Sequence, residues 1–361
     1  HYVVKNSYDV ALVVGTRPNF IKAAPLVKYF ESKNLEVLFI HTGQHWDKNL
    51  SGNIFTDLEL REPDINLETP LDGMNHQLSY MIKNLDTTLS KCNVPRVGVF
   101  GDVTSTLAAA LVTKNRDLEL FHVESGLRSR NLNMPEERNR LAVDTISDYL
   151  FTPSDDAVKN LLDENIGKEK IFNVGNIMID TLKANLDKIQ NSKNTVIDEL
   201  GINEPYFVMT IHRPSNLSNE ALKGIFTALD SFKKDYKILI PAHPRLSQFI
   251  EKNDLQFENF IFIDPLPYIK FLGLVSGAKL VLTDSGGLQE ETTYLNIRCL
   301  TLREETERPI TVFEGTNKVI GINTEVIINE IKSSLGSKLP NEINIKNWDG
   351  LTSSRIYDVL Y

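Results

Sequence analysis

The chain has 361 residues, of which 41% are hydrophobic and 24% are charged, as in ordinary globular proteins. No apolar run reaches the roughly 18 residues of a membrane-spanning helix, and no signal-peptide pattern opens the chain, so we expect no membrane association. The net charge of −9 argues against a nucleic-acid partner, which needs a basic surface, but a local cluster of arginine and lysine could still bind a small anion.

Short apolar runs alternate with longer amphipathic segments along the chain. In the first half, runs typical of buried strands lie at 9–15, 36–43, 96–102, 118–124, 148–154 and 170–176. The pattern restarts in the second half, with runs at 206–212, 236–243, 259–265, 278–286 and 297–303. Helical patterns such as 20–33 and 219–234 lie between them. Near-continuous apolar strands between helices indicate parallel sheets covered on both faces, so the sequence predicts an α/β fold with two Rossmann-like doubly wound domains.

The restart of the pattern also predicts domain limits. A single core stops growing at roughly 250–300 residues, so this length favours two domains. We place an N-terminal Rossmann-like domain at 1–173 and a C-terminal one at 174–345, with a final helix at 351–361 that returns to the first. The polar stretch 188–205 is expected to form a surface loop. Because open α/β sheets bind ligands beyond their carboxyl strand ends, we expect the two sheets to face a central cleft.

Charged residues follow several strands of the first half. After the first strand, "GTRPNFIK" has Gly15 for a tight turn, with Arg17 and Lys22 beside a helix start, which suits a phosphate or is simply a turn with solvated charges. "FGDVTST" ends its strand in Asp102, which suits either a helix cap or acid–base chemistry. These strand ends are therefore candidates for a binding site.

The stretch "HVESGLRSRNLNMPEERNR" (122–140) concentrates charge directly after a buried strand. A helix start explains Glu136 and Glu137, but it does not explain Glu124 at the strand end. We interpret Glu137, Arg130 and Arg138 as helix-start acidity and solvated charge. Glu124 and Glu136 remain as acid–base candidates.

The second half has two signals of its own. "TIHRPSN" and "IPAHPR" end neighbouring strands with His212 and His243, each followed closely by an arginine. "TDSGGLQEE" joins a strand to a helix through two glycines, a geometry that directs backbone amides and the helix dipole at an anion. No metal-ligand spacing is present, and Cys92 and Cys299 are expected to be free thiols in a reducing cytoplasm.

Motifs in one order cover residues 9 to 325: "GTRPNFIK", "HTGQHWD", "GDVTST", "HVESGLRS", "MPEERNR", "DSGGLQEE" and "TERP". Together they resemble the non-hydrolysing UDP-N-acetylglucosamine 2-epimerases. The resemblance implies a GT-B-like architecture and a cytoplasmic homodimeric isomerase that uses no cofactor and no metal. It also implies interconversion of UDP-GlcNAc and UDP-ManNAc, by elimination of UDP to 2-acetamidoglucal and its re-addition.

The resemblance further implies roles for individual residues. The catalytic acid–base set would be Asp102, Glu124, Glu136 and His212. The substrate-binding set, which includes the nucleotide contacts of the C-terminal domain, would be Arg17, Lys22, Arg140, His243, Leu266, Phe271, Ser285, Gly286, Gly287, Glu291 and Arg308. Within this set, Phe271 would line the uracil pocket, and Leu266 would act through its backbone.

Three positions depart from the family pattern. Asn19 stands in place of a glutamate, Val103 in place of a threonine and Ser125 in place of an alanine. They spare the acid–base set but lie close to the expected sugar site. One alternative is therefore an epimerase of a related UDP-2-acetamido sugar. The others are a GT-B glycosyltransferase, which shares the fold and the nucleotide end of the site, and a non-catalytic UDP-sugar-binding protein.

Overall fold

The structure is a computed structural model that describes residues 5–44, 54–241, 244–253 and 259–361, with only the backbone of 244 and 245. Contacts divide the chain into two compact units. The first comprises His1–Ala184 and Lys346–Tyr361, and the second comprises Asn185–Ile345.

In its described part, the first unit contains a seven-stranded parallel sheet in the order β3-β2-β1-β4-β5-β6-β7. The strands are β1 (Val10–Val14), β2 (Val37–His41), β3 (Ile65–Asn66), β4 (Arg96–Phe100), β5 (Glu119–Val123), β6 (Tyr149–Thr152) and β7 (Ile171–Asn173). The helices are α1 (Arg17–Ser32), α2 (Met74–Ser90), α3 (Thr104–Asn115), α4 (Pro135–Ile146), α5 (Asp155–Asp163) and α6 (Ile177–Ala184). Both β1 and β2 are buried along their whole length, as expected for strands covered on two faces.

The described residues of the second unit form a six-stranded parallel sheet in the order β10-β9-β8-β11-β12-β13. The strands are β8 (Tyr206–Thr210), β9 (Lys237–Pro241), β10 (Phe260–Ile263), β11 (Leu280–Thr283), β12 (Cys299–Thr301) and β13 (Asn317–Val319). The helices are α7 (Leu186–Glu199), α8 (Asn219–Asp230), α9 (Pro244–Lys252), α10 (Tyr268–Ser276), α11 (Gly286–Leu295), α12 (Ile310–Phe313) and α13 (Thr324–Gly336). Two parallel sheets with interleaved helices confirm the predicted fold class.

The stretch 188–205 is not the loop predicted from its polarity, because most of it belongs to helix α7. Ile189 and Val196 lie on the buried face of this helix. The Ser192 hydroxyl donates to the carbonyl of Ile269 in α10 at 3.2 Å. The polar residues form the outer face of an amphipathic helix, so polarity alone was a poor guide to its structure.

The final helix, α14 (Thr352–Leu360), lies in the first unit. The Asp180 carboxylate in α6 accepts the backbone N–H groups of Thr352 at 3.1 Å and Ser353 at 2.9 Å, which satisfies orphan donors at the start of α14. Thr181, also in α6, donates to the carbonyl of Ile21 in α1 at 2.6 Å. Because α6 is held in this way, the contacts divide the chain after Ala184, whereas the sequence placed the limit at 173.

The edge strands β3 and β13 were not predicted, since they contribute only Ile65–Asn66 and Asn317–Val319. Such short runs carry no periodicity that a sequence pattern could reveal. Among the described residues, no helix is long and apolar enough to cross a membrane.

Candidate active site

Sheet order brings three charged loops of the first unit to one edge. Strands β1, β4 and β5 are neighbours and parallel, so their carboxyl ends coincide. Gly15 follows β1, and a Cβ at this position would lie 1.9 Å from the Ser105 hydroxyl oxygen, so only glycine permits this approach. Asp102 and Glu124 follow the paired strands β4 and β5. The sheet therefore places both residues at the carboxyl ends of neighbouring strands.

Glu124 forms a buried ion pair with Lys22. The Lys22 ammonium lies 3.0 Å from Oε1 and 2.9 Å from Oε2, and both side chains are about 5% exposed or less. Glu124 also has a φ of +69°, a left-handed conformation that costs a non-glycine residue on the order of 1–3 kcal/mol. A strained backbone and a buried charge at one residue are typical of a functional site.

Asp102 is paired with Arg140 of helix α4. Its Oδ2 accepts from Nη2 of Arg140 at 2.6 Å, and its backbone carbonyl accepts from the Asn139 amide at 2.8 Å. The Asp102 side chain is 18% exposed, whereas that of Arg140 is 3% exposed. Asp102 is thus the more accessible member of a charge-assisted pair, as suits a group that exchanges a proton.

Glu137 is not the solvated helix-start acid predicted from the sequence. It is 1% exposed, and its Oε1 accepts from Arg140 Nη1 and from the backbone N–H of Ser129, both at 3.0 Å. Its Oε2 accepts from the backbone N–H of Arg130 at 2.5 Å. The loop 125–134 returns over the first turn of α4 and buries this carboxylate, which explains the difference. Glu137 therefore fixes the loop and holds Arg140 in position.

The other predicted residues of the first unit lie on helix starts. Glu136 is half-buried in the first turn of α4, next to the buried Glu137. Arg17 is the first residue of α1 and is also half-buried. Arg17 therefore lies on the helix after β1, and Glu136 lies on the helix after β5, the strand that Glu124 follows.

A buried histidine–aspartate pair was missed by the sequence reading. Nδ1 of His122 lies 2.6 Å from Oδ1 of Asp144 in α4, and Nε2 lies 2.7 Å from the carbonyl of Gly101. The other oxygen of Asp144 accepts the backbone N–H of Gly126 at 2.9 Å. Burial opposes ionisation of Asp144, but the charge and hydrogen bond of His122 hold its pKa below the usual range. This pair joins the loops after β4 and β5 to α4.

In the second unit, His212 is bound to Asp284, a residue to which the sequence reading gave no role. Nδ1 of His212 lies 2.8 Å from Oδ1 of Asp284. The histidine side chain is 58% exposed, whereas that of the aspartate is fully buried. Strands β8 and β11 pair with Thr210 opposite Thr283, so the residues that follow them are adjacent. The signal that could have revealed this contact is that His212 and Asp284 each follow a strand of the same predicted sheet.

The glycine-rich turn leads into helix α11 as predicted. Ser285 is the residue before the helix, its side chain makes no capping hydrogen bond, and Gly286 and Gly287 form the first turn. A Cβ at Gly286 would lie 2.2 Å from Nη1 of Arg308. The turn therefore sets backbone donors directly beside an arginine, an arrangement suited to a phosphate group.

Arg308 is itself held by buried carboxylates. It is 5% exposed and donates through Nε to Glu290 and through Nη1 to Glu307. Glu307 also accepts from Arg303 Nη2 at 2.6 Å. This chain of alternating charges fixes the guanidinium plane of Arg308.

Three other predicted residues of this unit lie near the turn or in the adjoining core, and one lies outside the described residues. Glu291 is buried in α11. Phe271 and Leu266 are partly buried and pack on the hydrophobic core that includes Leu288 and Ile263. His243 is among the residues that the structure does not describe.

Two Rossmann-like units define an α/β protein of GT-B-like class. In the first unit, carboxylates held by cations follow two strands. In the second unit, a glycine-rich turn between a strand and a helix provides backbone donors. A family model described as UDP-N-acetylglucosamine 2-epimerase matches residues 28–361. The chain belongs to this family of isomerases, as the motifs predicted.

Individual relatives are similar over nearly their whole length. The chain is 38% identical to the UDP-N-acetylglucosamine 2-epimerase of Methanococcus maripaludis, over 91% of this chain and 92% of the relative. It is 36% identical to the crystal structure of the Methanocaldococcus jannaschii UDP-GlcNAc 2-epimerase in complex with UDP-GlcNAc and UDP, with a TM-score of 0.89 and coverage of 98% of this chain and 99% of that chain. It is 33% identical to the UDP-2,3-diacetamido-2,3-dideoxy-D-glucuronate 2-epimerase of Pseudomonas aeruginosa, over 97% of this chain and 99% of the relative.

Proposed function

We propose that this chain interconverts UDP-GlcNAc and UDP-ManNAc. The observation that carries the proposal is the pair of carboxylates after β4 and β5, each held by a buried cation: Glu124 by Lys22 and Asp102 by Arg140. Inversion at C2 requires proton removal on one face and proton delivery on the other, and two acid–base groups suit that task. Membership of the UDP-N-acetylglucosamine 2-epimerase family supports the same substrate.

The reaction proceeds by elimination, because the C2 proton of the sugar is not adjacent to a carbonyl. A base takes the C2 proton, the C–H electron pair forms a C1–C2 double bond, and the C1–O bond breaks so that UDP leaves with its electron pair. The products are 2-acetamidoglucal and UDP. Re-addition of UDP at C1, with a proton delivered to the opposite face of C2, completes the epimerisation.

The residues divide between these tasks. Asp102, Glu124 and Glu136 of the first unit and His212 of the second form the acid–base set. Lys22 and Arg140 hold the carboxylates of Glu124 and Asp102 in place through their ion pairs. Arg17 together with Ser285, Gly286, Gly287 and Arg308 holds the diphosphate, and Glu291 accepts from the ribose hydroxyls. Phe271 lines the uracil pocket, Leu266 contributes through its backbone, and His243 belongs to the same substrate-binding set.

The experiment is incubation with UDP-GlcNAc in D₂O, followed by NMR. Appearance of UDP-ManNAc with deuterium at C2 in both epimers supports the proposal, and 2-acetamidoglucal with free UDP identifies the elimination. Absence of both deuterium and epimer overturns it. Transfer of the sugar to an acceptor without exchange at C2 would indicate a glycosyltransferase, and UDP binding without turnover would indicate a binding protein.

A second candidate is an epimerase of a related UDP-2-acetamido sugar. Ser125 is completely buried directly after Glu124, and Asn19 donates to the carbonyl of Phe100 at 3.4 Å, one residue before Gly101. Both differ from the family pattern. The diacetamido-glucuronate 2-epimerase relative favours the same alternative. Comparing kcat/KM for UDP-GlcNAc and for UDP-2,3-diacetamido-2,3-dideoxy-glucuronate decides between the two substrates.

A further inference from the structure

We propose that Asp284 is a positioning residue that fixes the ring orientation and the tautomer of His212, so that Nε2 is the nitrogen that exchanges protons. The inference rests on the proposed function, in which His212 belongs to the acid–base set. It assigns a task to a residue that touches no reacting atom and acts only through the histidine.

Several donors converge on the buried carboxylate of Asp284. Its Oδ1 accepts from the backbone N–H of His212 at 3.1 Å and lies 2.8 Å from Nδ1 of the same residue. Its Oδ2 accepts from the backbone N–H of Arg213 at 3.0 Å and from the Asn216 amide at 3.1 Å. Asn216 is anchored in turn, because it also donates to the carbonyl of Leu302 at 2.9 Å. The carboxylate is thus immobile, and the ring of His212 is set against it.

The charge of this carboxylate decides which ring nitrogen carries hydrogen. Burial opposes the ionisation of Asp284, but the hydrogen bond from His212 and the backbone N–H of Arg213 hold its pKa below the usual range. An ionised carboxylate only accepts hydrogen bonds, so Nδ1 must be the donor. Nε2 then has the lone pair that can accept a proton, and the side chain that carries it is 58% exposed. A buried aspartate fixes the working tautomer of a histidine in the same way in hydrolytic triads.

Asp284→Asn removes this control with little change of shape. The amide oxygen is expected to stay with the two donors at Oδ2, Arg213 N–H and the Asn216 amide, which turns the NH₂ group toward Nδ1 of His212. Nδ1 then accepts a hydrogen bond, and the neutral ring carries its hydrogen on Nε2. Turnover should fall by roughly 10²–10⁴, with a much smaller change in KM, since the ring remains in place in the wrong tautomer.

The first test is ¹⁵N NMR of the neutral His212 ring, assigned by its absence from His212→Asn. The expected result is hydrogen on Nδ1 in the wild type and on Nε2 in Asp284→Asn. A wild-type ring with hydrogen on Nε2 overturns the inference without any variant. The NMR result does not depend on turnover, so wild-type inactivity toward all UDP-sugars would refute the proposed function and leave this test intact.

The second test is a double-mutant cycle on kcat. If Asp284 acts through the histidine, adding Asp284→Asn to His212→Asn should not lower kcat further. If the double variant instead loses kcat by the product of the two single losses, Asp284 has a separate structural role. Asp180→Asn is the matched control, since Asp180 is another buried aspartate that accepts two backbone N–H groups but has no proposed role in the reaction. It should lower the melting temperature and keep kcat within a few-fold of wild type; a loss of kcat as large as that of Asp284→Asn would overturn the inference.

Discussion

The ammonium group of Lys22 lies 3.0 Å from Oε1 and 2.9 Å from Oε2 of Glu124, with both side chains buried. Such a pair is stable only while both partners are present, because each charge has lost its hydration. The lysine belongs to α1 and the glutamate follows β5, so one contact joins the first helix to the carboxyl end of β5. The ion pair therefore stabilises the fold at the same residue, Glu124, that is proposed to transfer a proton.

Glu124→Gln should lower kcat by roughly 10²–10⁴, the usual contribution of an acid–base group. UDP affinity should change much less, since the proposed nucleotide contacts, apart from Arg17, belong to the second unit. Turnover by NMR and UDP affinity by calorimetry measure the two effects. Glu164→Gln is the control, because Glu164 binds Arg128 through both oxygens and has no proposed role in the reaction. Parallel loss of UDP binding would show that Glu124 is structural.

Lys22→Met should destabilise the protein by about 3–5 kcal/mol, because it removes the cation that pairs with the buried Glu124 carboxylate. Adding Glu124→Gln to Lys22→Met removes that charge and should recover part of the free energy of unfolding. Urea denaturation of the wild type, both single variants and the double variant measures this coupling. Strictly additive losses would contradict an energetic link between the two side chains.

Arg308→Ala should weaken UDP binding by about 10-fold or more, the value of a lost hydrogen bond to a charged group. It should also lower stability, since Glu290 and Glu307 each lose a buried ion pair with this arginine. Calorimetry well below the melting temperature separates the two effects. Arg308→Lys retains the charge without the planar donor fork, so we expect an intermediate affinity. Unchanged UDP affinity in Arg308→Ala would limit this arginine to a structural role.

His41 should make the stability depend on pH. Burial lowers its pKa from 6.5 to about 4, so the unfolded chain binds a proton that the folded chain refuses. Its contribution is fully present above pH 6.5 and is lost as the pH falls toward 4, in total about 3 kcal/mol. His41→Gln should reduce the change in the urea denaturation midpoint between pH 7.5 and 4.5. His76→Gln, which replaces an exposed histidine, should not reduce it. An equal pH dependence of the midpoint in the wild type and in His41→Gln would show that His41 is not its cause.

Sequence patterns located a candidate residue most directly where the charged side chain follows a predicted strand. Asp102, Glu124 and His212 directly follow strands, so local apolar runs located them. Glu137 and Asp284 were misjudged or overlooked, because their importance depends on donors from other parts of the chain: Glu137 accepts from the loop 125–134, and Asp284 from the turn after β8. No spacing in the sequence encodes such contacts.

The sequence by itself determined the two parallel sheets, the order of the motifs and the family, because each depends on local periodicity or on residues adjacent in the chain. Only the tertiary structure decided which charges pair. Lys22 meets Glu124 although 102 residues separate them, and His212 meets Asp284 across 72. The physical reason is the order of the strands: parallel pairing brings distant strand ends to one edge, and burial then requires each charge to find a partner.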